Sequence, residues 1–282
     1  MAYSTSKGPL VSFCNERKAL LVWVGVTVLC LVFSIYGLAQ ISVPGKLAHK
    51  FTVDPGCTYS AEIIIDHSGE VPIEVQVTQN DYMFFADGTN TYGESGSVPR
   101  SNSSWITFVL PSRLILVPGE RVSIPYTIDV PDDPSLVGTY WSIVMVAPVL
   151  PPVESPEGKI AIRQVMRYGI QIITHIGDSG ERKINIIDTK LLQEEGPLLR
   201  IELENIGERY VAPEVWTELY DDNGSSVGRF ESSKLGIYPG CSVTHRIPLS
   251  GVPTGKYEAL VVFDNGDQYV WGAQYTLELR DL

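Results

Sequence analysis

Two stretches decide the fold. The first runs Leu116-Val117-Pro118-Gly119-Glu120, then the alternating strand Arg121–Val130, then Pro131 and Pro134, then Gly138-Thr139-Tyr140. The second repeats the order: Pro239-Gly240, the strand Ser242–Leu249, Pro253, then Gly255-Lys256-Tyr257. In each, a turn opens a strand, a proline ends it, and a Gly-x-Tyr triplet opens the next. Pro-Gly supplies a tight turn because Pro fixes φ and Gly tolerates positive φ. Val122, Ile124, Tyr126, Ile128 and Val130 recur at every second position, which is the period of a half-buried strand.

The same grammar extends on both sides. Before the first stretch lie Lys46–Val53, Thr58–Asp66, Ile73–Tyr82, Trp105–Leu110 and Arg113–Leu116. After it come Thr139–Ala147, apolar at nearly every residue, and a long alternating run, Ile160–Ile176. Asp87–Ser104 reads as loop. The second module predicts strands at Lys183–Leu192, Leu198–Asn205, Glu214–Tyr220, Val227–Glu231, Ser242–Leu249, Lys256–Phe263 and Tyr269–Leu279, with hairpin turns at Asp222-Asn223-Gly224 and Asp264-Asn265-Gly266. No amphipathic helix of ten residues follows Gln40. Tyr140 and Tyr257 fit the tyrosine corner of immunoglobulin-like sandwiches, in which a Tyr near the start of strand F bonds back to the preceding corner. The fold expected is all-β: two tandem immunoglobulin-like sandwiches, at 40–179 and 180–282, after an N-terminal apolar segment at 1–39.

That N-terminal segment sets the address. Ala19–Ala39 contains no charged residue and is long enough to span a bilayer as a helix. Lys7, Arg17 and Lys18 precede it, which favours a cytoplasmic N-terminus and places the remainder across the membrane. Two readings stand. Gly37 and Ala39 suit a signal-peptidase cut before Gln40, whereas the run is longer than the usual 7–15-residue apolar region of a signal peptide, as for an uncleaved anchor.

Composition excludes several classes. The chain has 21 Lys plus Arg and 33 Asp plus Glu, a net charge of −12. Residues 1–39 hold three of those cations and one anion, so the exported part carries 18 basic and 32 acidic groups, net −14. That is not the footprint of a nucleic-acid binder. His49, His67, His175 and His245 are scattered without metal-ligand spacing, and no phosphate loop or nucleophile elbow occurs. Neither a cofactor, a metal nor an enzymatic activity is expected. Cys57 and Cys241 each follow a Pro-Gly pair; they read as two separate thiols or, in an oxidising compartment, as one disulfide. Asn102-Ser103-Ser104 and Asn223-Gly224-Ser225 match the glycosylation sequon.

The span from about Phe51 to Ile176 resembles the first domain of PapD-type periplasmic chaperones and the related domain of WxL-interacting proteins. The resemblance rests on Val53-Asp54-Pro55-Gly56, Trp105-Ile106, Pro111-Ser112, Leu116 to Glu120, Ile128 to Asp132, Gly138-Thr139-Tyr140 and the long last strand. It implies a non-enzymatic, extracytoplasmic partner of another exported protein, held by strand addition, with a basic pair anchoring the partner's terminal carboxylate. On the last strand the basic residue corresponds to Arg163 or Arg167; on the first strand Lys46 and Lys50 are nearby but lack the matching context. Within Ile160–Ile176, Ile160 and Ile162 are the expected partner-facing residues, on an edge left unpaired by the strand's length. The competing expectation is a strand bent at Gly169 and paired throughout. The competing function is a membrane-anchored structural or adhesive surface component.

Overall fold

A computed structural model describes residues 41–109, 111–150, 165–193 and 196–280. The apolar run Ala19–Ala39 lies outside these residues, as do Ile160, Ile162 and Arg163. Among the described residues no helix is long and apolar enough to cross a membrane.

The described chain is built from strands: β1 (Ile41–Ser42), β2 (Ala48–Val53), β3 (Thr58–His67), β4 (Ile73–Phe84), β5 (Asn90–Glu94), β6 (Ile106–Phe108), β7 (Arg113–Leu116), β8 (Arg121–Asp129), β9 (Gly138–Val149), β10 (Tyr168–Ile176), β11 (Ile184–Leu192), β12 (Leu198–Asn205), β13 (Glu214–Tyr220), β14 (Ser226–Glu231), β15 (Ser242–Pro248), β16 (Gly255–Asp264) and β17 (Val270–Leu279). Four sheets result. The first has the order β1-β3-β8-β6, and the second β2-β10-β9-β4, with β5 and β7 both pairing β4. The third is β11-β12-β15 and the fourth β14-β13-β16-β17.

Alternation explains the layering. On β8 the side chains of Ile124, Tyr126 and Ile128 are buried while Ser123, Pro125 and Asp129 are exposed. They meet Val75, Val144, Val146, Ile170 and Ile172 from the second sheet in one core. A second core joins Leu199, Ile201 and Leu203 of β12 to Val215, Leu219, Val261 and Phe263 of the fourth sheet. Trp141 of β9 and Ile173 of β10 belong to this second core, although their strands lie in the second sheet. That explains why β9 is apolar at nearly every residue. Val144 and Val146 on one face pack into the first core, and Trp141 on the other packs into the second.

Near the start the chain changes sheets. Ile41 pairs with His67 on β3, and after Gly45 (φ 98°) β2 runs parallel to β10, from Gln171↔Ala48 to Ile176↔Val53. Gly138 (φ 77°) opens β9 where the chain passes close to itself: a Cβ there would lie 2.1 Å from the carbonyl oxygen of Glu208.

Three expectations need correction. The stretch Asp87–Ser104 is not all loop, because β5 pairs with β4, helped by Tyr92 stacking on Tyr82 at 5.2 Å. A one-turn 3-10 helix, Ser103–Trp105, takes the place of the start of the expected strand Trp105–Leu110. Most consequential, the strand expected over 160–176 begins only at Tyr168 among the described residues, and from Gln171 onward it is paired on both sides. Periodicity recorded the apolar alternation there, but the reach of β9 and β2 fixes how much of it is paired.

Candidate partner-binding cleft

Where the second sheet meets the start of β15, Tyr210 and the segment 235–238, the molecule has a cleft of about 550 Å³. Ala48 and Lys50 of β2, Gln171 of β10, and Tyr82 and Phe84 of β4 form one wall. Tyr210, Leu235, Tyr238, Ser242 and Thr244 form the other. Among the described residues Lys50 is the single basic residue of the lining, and no Asp or Glu lines it. In a chain of net charge −12 this is a local reversal of sign.

The period of two places Ala48, Lys50 and Thr52 on the outward face of β2, while Val53 turns into the first core. The Lys50 ammonium sits 4.4 Å from the Tyr210 ring centroid and 3.4 Å from its hydroxyl oxygen, so it is aimed along the cleft wall by a cation–π contact. Tyr210 is held in turn: its backbone N–H donates to Thr139 Oγ1 at 2.9 Å, and the Thr139 N–H donates to the Glu208 carbonyl at 2.9 Å.

The floor is aromatic. Trp141 stacks on Tyr238 with ring centroids 4.7 Å apart, and its indole N–H donates to the Tyr82 carbonyl at 2.7 Å. Phe84 meets the edge of Tyr238 at 5.7 Å. The Tyr238 hydroxyl donates to Gln171 Oε1 at 2.5 Å. Beyond Phe84 the β4–β5 turn closes one side, because the Ala86 N–H donates to Ser242 Oγ at 2.9 Å and Thr244 Oγ1 donates back to the Ala86 carbonyl at 2.8 Å.

Electrostatics here favour binding over chemistry. Burial pushes the Tyr238 hydroxyl well above its ordinary range and the Cys241 thiol up to about 11, so neither is a ready nucleophile at neutral pH. Burial also lowers His175 to about 4, assisted by the charges of Arg209, Lys50 and Arg182. His175 therefore stays neutral, with Nδ1 2.9 Å from Thr139 Oγ1. Thr139 is fully buried and His175 half-buried.

Beside the cleft, β10 leaves part of one edge open. The Gln171 N–H donates to the Leu47 carbonyl at 2.8 Å, and pairing with β2 starts at that residue. Alternation then turns the N–H and C=O of Gly169 to the same side. Among the described residues no strand pairs there, although Tyr168, Gly169 and Ile170 are paired with β9 on the other side.

The sequence-derived residues are dispersed. Arg167 is exposed, one residue before β10, and is not part of the cleft lining. Lys50, set aside in the sequence for want of a matching context, is the cation that reaches the cleft. Tyr257 donates its hydroxyl to the Pro253 carbonyl at 2.9 Å, four residues upstream. Tyr140 makes no such bond among the described residues; its ring packs on Trp105 at 4.8 Å and under the Arg100 guanidinium at 5.3 Å. Cys57 is exposed and Cys241 buried, and both are free thiols. Asn102 is buried with Nδ2 donating to the Ile172 carbonyl and to Thr174 Oγ1, so the first sequon is closed to modification in the folded chain.

No protein-family model and no curated protein matches the chain. Solved structures do. A chain of a chaperone–tip adhesin complex of CFA/I fimbriae biogenesis is similar at 13% identity and a TM-score of 0.47, covering 86% of this chain and 100% of that one. A chain of the CsuC–CsuE pre-assembly complex of archaic chaperone-usher pili of Acinetobacter baumannii is similar at 12% identity and a TM-score of 0.42, covering 83% and 98%. A PapD-like domain of human CEP192 is similar at 12% identity and a TM-score of 0.33, covering 50% of this chain and 87% of that one. All three are likenesses of architecture, and one architecture hosts many functions.

Proposed function

We propose that this chain is a non-enzymatic, extracytoplasmic protein-binding factor that assists assembly of surface or secreted proteins. It takes an extended segment of another exported protein into the cleft, with part of that segment adding to the open edge of β10. The observation that carries this reading is the cleft lining: among the described residues, aromatic and amide groups, one cation and no carboxylate, in an acidic chain. Such a surface suits an apolar segment that ends in or carries an anionic group. Lys50 serves as the anchor, and Gly169 offers one N–H and one C=O for strand addition beside it. Ile160, Ile162, Arg163 and Arg167 are the candidates the sequence offers for further partner-facing contacts. Of the two N-terminal readings, release by a cut before Gln40 and retention as an uncleaved anchor, we carry the anchor forward as part of the proposal, on the 21-residue length of Ala19–Ala39.

The test is site-specific photo-crosslinking in the native host, with benzoylphenylalanine replacing Leu235 in the cleft or Leu260 on the outer face of the fourth sheet. The expected result is a discrete adduct with an exported protein from position 235 alone, lost when Lys50→Glu is added. Equal adducts from both positions, or an adduct indifferent to Lys50→Glu, would overturn the reading.

A further inference from the structure

The end of the first sandwich farthest along β3, β7 and β9 carries an unusual surface. Two backbone bonds tie the end of β3 to the β7–β8 turn there: the His67 N–H donates to the Glu120 carbonyl at 2.9 Å, and the Gly119 N–H to the His67 carbonyl at 3.0 Å. Pairing sets Ile73 opposite Leu116 and Glu74 opposite Ile115 and Val149. Three large apolar side chains stand out of this end into solvent: Val71 (58% exposed), Ile115 (73%) and Val117 (52%). The arginines close by are both paired, Arg121 on Asp66 at 2.6 Å and Arg113 on Glu74 at 3.0 Å, while Glu70, next to Val71, is exposed with no ion pair among the described residues. Glu120 turns inward to accept the Val117 N–H at 2.7 Å. No lysine occurs within 66–74 or 113–121.

The chain enters at this same end, because Ile41 pairs with His67 and is fully buried. Only Gln40 separates it from the apolar run that closes at Ala39. One residue spans at most about 3.6 Å. We infer that Val71, Ile115 and Val117 form a lipid-facing surface that rests the first sandwich on the bilayer interface. The inference relies on the uncleaved anchor proposed above. An apolar patch whose cations are paired, with no lysine and an exposed carboxylate at Glu70, calls for zwitterionic headgroups and boundary acyl chains, not for an anionic membrane. Resting on this end would hold the cleft, at the opposite end of β4 and β9, away from the bilayer and open to newly exported chains.

The experiment uses the full chain in phosphatidylcholine nanodiscs, with nitroxide labels at Val71→Cys, Val117→Cys or Leu260→Cys after Cys14, Cys30 and Cys57 are replaced by Ser. Leu260 is 40% exposed and lies on β16, outside this end. The mass of the exported chain is measured first. The inference expects an intact N-terminus, and labels at 71 and 117 that gain oxygen accessibility and lose nickel accessibility relative to 260. A chain cut before Gln40 would remove the anchor and this inference together. An intact chain with labels at 71 and 117 as nickel-accessible as at 260 would overturn the lipid-facing surface alone. So would labels immobilised without a gain in oxygen accessibility, which would place a protein on this face.

Discussion

The Trp141 indole, carried by β9, lies flat on the Tyr238 ring, 4.7 Å between centroids and 11° between planes. Its ring is buried in the second core while its backbone pairs in the second sheet. The stacked pair thus ties the second sheet to the second core, and Tyr238 lines the cleft with Trp141 behind it. Deleting a large buried aromatic costs about 3–5 kcal/mol. Trp141→Ala should lower stability by that order and broaden one denaturant transition into two, because the second core loses the larger of the two side chains, with Ile173, that tie it to the second sheet. Circular dichroism and near-ultraviolet absorbance followed through the same urea titration should then cease to coincide.

The two corner tyrosines should behave differently. Tyr257→Phe removes the 2.9 Å bond to Pro253 and should lower the unfolding free energy by about 0.5–1.5 kcal/mol. Tyr140→Phe keeps the ring on Trp105 and should change it by less than about 0.5 kcal/mol. Equal losses in chemical denaturation would contradict the distinction.

Gly138 and Gly119 separate backbone strain from space. Both have φ near +77°, but a Cβ at Gly119 meets nothing within 4 Å, whereas at Gly138 it meets the Glu208 backbone. Gly119→Ala should cost about 1 kcal/mol, the conformational part. Gly138→Ala should cost several times more and disturb Thr139, whose N–H bonds to the same carbonyl. Thermal unfolding of the two variants side by side measures the difference.

Burial lowers His245 and His175 to about 4 from 6.5. Both are neutral in the folded chain, and the unfolded chain takes up their protons first as pH falls. Stability should therefore decline from about pH 6.5 to pH 4, with each histidine contributing at most about 1.4 kcal/mol per pH unit. In a series of urea midpoints across that window, His245→Gln should flatten the slope whatever it does to the value at pH 7.

Much of the fold was legible because turns and alternation are local. Pro118-Gly119 does turn at Gly119, and Asp221 Oδ1 accepts the N–H groups of Asn223 and Ser225 in the hairpin turn. The Gly-x-Tyr signature was local too, yet it did not distinguish Tyr257 from Tyr140, because the second tyrosine's environment is set by Trp105, thirty-five residues away in sequence. The start of β10 escaped the sequence for a related reason, since alternation continues through 160–176 whether or not partners reach it. The cleft was least legible. Lys50, Tyr82, Gln171, Tyr210 and Tyr238 come from five separate segments, and only folding sets them around one space. The one available signal was the face on which β2's alternation places Lys50.

Hydrogen exchange of the full chain, alone and with its crosslinked partner, tests capture most directly. The account predicts new protection confined to amides 165–171 and to the cleft segments 82–90 and 235–244, with β11 and β17 unchanged. Protection that appears along β17 or the outer face of the fourth sheet, with 165–171 exchanging as fast as before, would contradict it.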